Sequence, residues 1–138
     1  MRGWFGAIAL IIAVFLLIQL VGNRQQKRIA VALRARRPNL TREEFVALLA
    51  DATDTGAAEF LWEELLPYWK PNLTPHPDDD FLKDLLIDDE EPEDWLKRYC
   101  DRFGHDWRSW PPWAAEQPTT VRNFARWLTN GRPARTTA

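Results

Sequence analysis

The run TPHPDDDFLKDLLIDDEEPEDWLKRYCDRF (residues 74–103) holds a loop, an apolar corner and a helix in consecutive positions. Pro75 and Pro77 punctuate the loop, and Phe81, Leu82, Leu85, Leu86 and Ile87 form the corner. Asp88 or Asp89 suits a helix N-cap, because a short side-chain oxygen accepts N–H groups that the first turn leaves unpaired. Pro92 is tolerated in that first turn, and the Asp and Glu residues around it favour the positive end of the helix dipole. Trp95, Leu96, Tyr99, Cys100 and Phe103 then give the helix a core side, and Gly104 ends it. Carboxylates crowd the run: Asp78, Asp79, Asp80, Asp84, Asp88, Asp89, Glu90, Glu91, Glu93 and Asp94, against Lys83 alone before Lys97.

Upstream, Thr41 and Glu44 have the spacing of a capping box, in which each side chain accepts from the other's backbone N–H. Phe45, Leu48, Leu49 and Ala52 fall on one face of the helix it opens. The TDTG run at 53–56 is a turn and the next N-cap. Residues 57–69 read as a second amphipathic helix with Phe60, Leu61, Leu65 and Tyr68 inward, and Pro67 should distort or end its last turn. Residues 70–80 form a Pro-rich loop. Downstream of Gly104, Trp107, Trp110, Pro111, Pro112 and Trp113 make an aromatic connection. Thr119 or Thr120 caps a last helix over 121–129, with Val121, Phe124, Trp127 and Leu128 facing in. Residues 131–138 read as a disordered tail.

The chain has 138 residues, 10 prolines and a formal net charge of −2, so one small domain is the expected size. Seven of the eight tryptophans fall after residue 40, and such large aromatics bring a small core much buried area per residue. The single cysteine, Cys100, excludes an internal disulfide framework. Residues 4–22 carry no charge and would span the ~30 Å apolar layer of a bilayer at ~1.5 Å per residue. The run is longer than the ~7–15-residue apolar region of a signal peptide, and no A-x-A site follows it. We therefore read residues 1–23 as a retained single-pass anchor in contact with lipid through 4–22. Arg24, Lys27, Arg28, Arg34, Arg36 and Arg37 follow, with no acid before Glu43. That bias places the C-terminal domain in the cytoplasm, beneath the inner (plasma) membrane. The basic segment, 24–40, is suited to anionic headgroups, and Pro38 ends its helix. The domain over 41–130 is acidic, which argues against nucleic acid as a partner.

The order of helix, long loop, the corner Asp84-Leu85-Leu86-Ile87-Asp88-Asp89-Glu90, helix, Phe103-Gly104 and a final TVRNFARWL helix resembles the acyl carrier protein pattern. It is also similar to a group of uncharacterised bacterial domains that share this pattern with an acidic replacement. The resemblance covers 74–128, with 57–69 standing for the first helix. It implies an acyl-carrier-like bundle of four to five helices, so with the anchor read from 4–22 the expected fold is all-α, one transmembrane helix followed by that bundle. In that family a serine at the start of the second helix carries 4′-phosphopantetheine. Asp89 stands in its place here and has no hydroxyl to modify, so the resemblance implies no such cofactor and no acyl carriage.

Motifs for catalysis are absent from the sequence. The acidic run lacks the glycine and final glutamate of an EF-hand loop, with Lys83 and Asp89 in those places. His76 and His105 are the only histidines, and Ser109, the only serine, lies in WRSWPPW rather than in a G-x-S-x-G turn. Cys100 falls on an apolar face. The expectation is a non-enzymatic interaction or adaptor module without a cofactor. Its second-helix face (Asp88, Asp89, Glu90, Glu91, Glu93, Asp94) would meet a basic protein partner. In the aromatic connection, either Trp107 and Trp110 plug the open end of the bundle, or part of it stays exposed, with Trp110 and Trp113 adding an aromatic anchor to that surface. Two alternatives remain at this stage: an immunity-type protein that neutralises a basic toxin near the membrane, and a metal-dependent hydrolase built on the carboxylates.

Overall fold

The computed structural model describes residues 2–133. The chain divides into two compact units, residues 1–37 and the remainder. It is all-helical: five α-helices, and no strand among the described residues. The first unit is one helix, α1 (Arg2–Arg36), of 35 residues. Its rise is about 50 Å, so it continues well past the ~30 Å of a bilayer's apolar layer. Trp4, Phe5, Leu10, Ile11, Phe15 and Leu17 are all exposed, and none of its most apolar window is buried. It is the one helix among the described residues long and apolar enough to cross a membrane. Arg34 and Arg36 lie in its last turn, where cations suit the negative end of the helix dipole. The helix stops before Pro38, as expected.

The second unit begins with α2 (Arg42–Leu48). Both halves of its capping box form: Thr41 N–H donates to Glu44 Oε2 at 2.8 Å, and Glu44 N–H to Thr41 Oγ1 at 3.3 Å. Phe45, Leu49 and Ala52 are buried, but Leu48 is 44% exposed; so short a helix turns only a narrow stripe inward. Asp54 caps α3 (Thr55–Trp69) by accepting from Ala57 N–H at 2.9 Å. Pro67 does not end this helix. It lies on an exposed position, and the ladder resumes with Lys70 N–H to Leu66 O at 3.0 Å. Helix α3 is the hub: α2, α4 (Glu91–Phe103) and α5 (Val121–Asn130) each pack on it.

The loop between α3 and α4 is stitched to the start of α5. Val121 N–H donates to Asp79 O at 3.0 Å and Arg122 N–H to Pro77 O at 2.8 Å, while Asn123 N–H reaches the Thr120 cap at 3.2 Å. The loop thus satisfies donors that a helix N-terminus leaves unpaired. Phe81 N–H to Thr119 O at 3.1 Å extends the seam, and Asp80 and Thr120 form an isolated antiparallel bridge. At the centre, Trp95 meets Tyr68, Phe81 and Phe124 edge to face, with ring centroids 5.4, 5.3 and 5.7 Å away. Such geometry matches the positive edge of one ring to the negative face of the next.

Several sequence expectations change. Asp79 and Asp80, two members of the acidic run, are buried rather than solvated. Asp79 is 2% exposed and accepts from Trp69 Nε1 at 2.8 Å. Asp80 Oδ1 accepts from Leu82 N–H at 3.2 Å, Lys83 N–H at 3.0 Å and the Thr119 hydroxyl. The apolar corner buries Phe81 and Leu85 only. Leu86 is 57% exposed at φ 54°, a left-handed conformation that lets Ile87 N–H return to Phe81 O at 3.0 Å. Neither Asp88 nor Asp89 caps α4 through its side chain. Glu90 holds the cap position, and the Asp88 carbonyl accepts from Glu91 N–H at 3.1 Å. Phe103 is partly exposed, and Gly104 ends α4 at φ 74°. Of the expected tail, 134–138 lies outside the described residues, whereas Arg132 donates to Tyr99 Oη at 2.5 Å and pairs with Asp54.

Candidate functional site

Two features meet at the N-terminal end of α4: an acidic turn and an apolar cleft. In the turn, Asp88, Asp89 and Glu90 are exposed, and their carboxylates form no ion pair among the described residues. The acids that follow are engaged. Glu91 is half-buried and accepts from the Tyr68 hydroxyl at 2.5 Å. Burial, then that bond, holds the Tyr68 pKa above the usual phenol value. Lys97 bonds Glu93 at 2.8 Å and lies 4.0 Å from Asp94. The Glu93 bond raises its pKa, and its ammonium sits 4.7 Å over the Trp107 ring. Farther along, Glu63 pairs with Arg42 and Arg102, and Glu64 with Arg98. Uncompensated negative charge therefore gathers at 88–90 rather than along the whole expected face.

The cleft opens beside this turn, with a volume of about 350 Å³. Its walls are Phe81, Leu96, Trp113, Phe124 and Trp127; Asp89 and Glu93 stand among its polar lining residues. The WPPW connection builds one wall. Trp127 Nε1–H donates to Pro111 O at 2.9 Å, Trp110 Nε1–H to Trp127 O at 3.3 Å and Trp113 Nε1–H to Gln117 O at 3.2 Å. Two prolines fix the extended backbone between those bonds. Trp113 meets Trp127 edge to face at 5.5 Å.

The sequence reading paired Trp110 with Trp113, and the structure separates them. Trp110 is only 9% exposed, against Tyr99 and His105, which leaves little of it to anchor a partner. Trp113 is half-buried and faces the cleft. The cleft itself escaped sequence analysis, since its walls come from four separate segments. Arg24, Lys27, Arg28, Arg34 and Arg36 all lie on α1 with exposed side chains, and Arg37 follows it.

The groups considered for catalysis have other duties. His76 Nδ1 accepts from Asp78 N–H at 3.1 Å, His105 stacks on Tyr99 and Ser109 donates to Asp106 O at 2.8 Å. Cys100 is buried, and burial pushes its thiol up to about 11. Asp78 pairs with Arg122 at 3.2 Å. Among the described residues, no group of three or more His, Cys, Asp or Glu side chains is placed to hold a metal ion. Comparison with family models, with curated proteins and with solved structures gives no match for this chain.

Proposed function

We propose that this chain is a membrane-anchored, non-enzymatic docking module whose acidic turn meets a basic surface on a partner protein. The observation that carries the reading is the distribution of charge. Glu63 and Glu64 on α3 and Glu93 and Asp94 on α4 are matched by Arg42, Arg102, Arg98 and Lys97, while the three consecutive acids Asp88, Asp89 and Glu90 are exposed and form no ion pair among the described residues. Unmatched charge at one place raises association rate and specificity for the opposite sign, and salt weakens it. Helix α1 serves as a single-pass anchor in the inner membrane. The cations after its apolar run favour a cytoplasmic position for the domain and contact with anionic headgroups. The order α3, long loop, α4 and α5 is consistent with an acyl-carrier-like arrangement, in which Asp89 replaces the carrier serine and no phosphopantetheine is attached.

The test is crosslinking capture from native membranes with the full chain and a D88K/D89K/E90K variant. Glu91 is left in place because it holds Tyr68. One dominant partner that the variant loses, with its melting temperature preserved, supports the reading. Equal capture by both proteins overturns it.

A further inference from the structure

The apolar cleft beside the acidic turn indicates what such a partner presents. Its 350 Å³ lies at the small end of the about 300–1,000 Å³ typical of ligand pockets, which suits one or two side chains better than a long chain. Ring and aliphatic walls (Phe81, Leu96, Trp113, Phe124, Trp127) favour an apolar group by removing it from water. The polar lining narrows the choice. A wholly apolar occupant would cover the Asp89 carboxylate without pairing it, and burying an unpaired charge is costly. An anionic amphiphile, such as a fatty acid or a phospholipid, would bring its head group against Asp89 and Glu93. A cation next to the apolar group avoids both penalties, and the aromatic walls add cation–π attraction.

We infer that the cleft seats an apolar side chain of a basic amphipathic segment in the partner protein, with a neighbouring Lys or Arg against Asp89, since Lys97 already pairs with Glu93. This rests on the docking reading above and gives it a second element, an anchor for the apolar side chain. Trp113 and Trp127 are the principal contacts, because their positions are set in advance by the bonds to Gln117 O and Pro111 O. A cleft formed before binding lowers the ordering cost of association.

The probes are three dye-labelled peptides of equal length: Leu/Lys, Ser/Lys and Leu/Glu, each patterned at helical spacing. Binding is read by fluorescence anisotropy to the full chain in nanodiscs of zwitterionic lipid, with empty nanodiscs as the blank. The chain is used unaltered, as W113A, as L82W (Leu82 lines the cleft, and Trp would fill it) and as D88K/D89K/E90K. Circular dichroism and melting confirm that each variant is folded. The Leu/Lys peptide should bind, and each cleft variant should weaken it by about tenfold or more, the scale of losing a well-packed anchor. The Ser/Lys peptide should be weaker and respond only to charge reversal, and the Leu/Glu peptide should not bind. Unchanged Leu/Lys binding in folded W113A and L82W overturns the cleft assignment while charge reversal still reports on the acidic turn. If charge reversal changes nothing either, the docking reading falls with it. Signal from empty nanodiscs equal to that from the loaded ones overturns the inference in favour of lipid.

Discussion

Asp79 and Asp89 are alike in sequence, each inside a run of acids, and opposite in setting. Asp79 is buried against the Trp69 indole, while Asp89 is exposed beside the cleft. Asp79→Ala should cost about 1–3 kcal/mol, because it leaves a buried indole N–H without its acceptor. Asp79→Asn keeps an acceptor oxygen and should cost less; denaturant unfolding of the full chain in mild detergent measures both. Leu85 and Leu86 make a second contrast. Leu85→Ala should lose about 2–5 kcal/mol, as core truncations do. Leu86→Gly should stay within about 0.5 kcal/mol, since relief of the left-handed conformation offsets glycine's entropy cost. Cys100, with its thiol pushed up to about 11, should resist a thiol reagent at neutral pH until denaturant is added. Equal labelling in the folded state would contradict its burial. None of these contrasts was legible in the sequence. Neighbouring residues of one type differ only through the tertiary contacts each makes, as Asp79 does with Trp69 and Val121.

Helix ends were the most legible feature, because capping is local chemistry. The Thr41–Glu44 box, the Thr120 cap and the Gly104 stop all occur where the sequence placed them. The start of α4 was not, because a backbone turn through Asp88 replaces the expected side-chain cap. The far end of α5 depends on a close approach. A Cβ at Gly131 would run into the Trp110 indole, well inside contact distance. Gly131→Ala should therefore lose about 1–3 kcal/mol, as overpacking does, and should perturb the Trp110 indole resonance first. Asp54 joins two elements, capping α3 and pairing with Arg132 beyond α5. The Arg132 hydrogen bond holds its pKa below the usual carboxylate value. A depressed folded pKa gives stability that is full above the unfolded value near ~3.9 and is lost as pH falls through the folded one. The melting-temperature gap between wild type and Asp54→Asn should thus be widest above about pH 5 and close toward strong acid.

For the chain as a whole, an unbroken uncharged run identified the apolar N-terminal helix and helical periodicity identified the small domain, since both signals lie within a few turns of sequence. The cleft could not be identified this way. It exists only because the 77–81 loop is bound to α5 and the WPPW connection returns along Trp127. That arrangement leaves a carboxylate-lined apolar recess at one end of α4, while farther along Arg98 and Arg102 pair with Glu64 and Glu63 of α3. Site-specific photo-crosslinking separates the two ends in one experiment. A photoreactive residue is placed at Glu90, in the acidic turn, or at Asp101, exposed near the C-terminal end of α4, in the full chain in its native membrane. A docking face at 88–90 predicts one discrete protein product from Glu90 and none from Asp101. The same products from both positions, or none from Glu90, would contradict it.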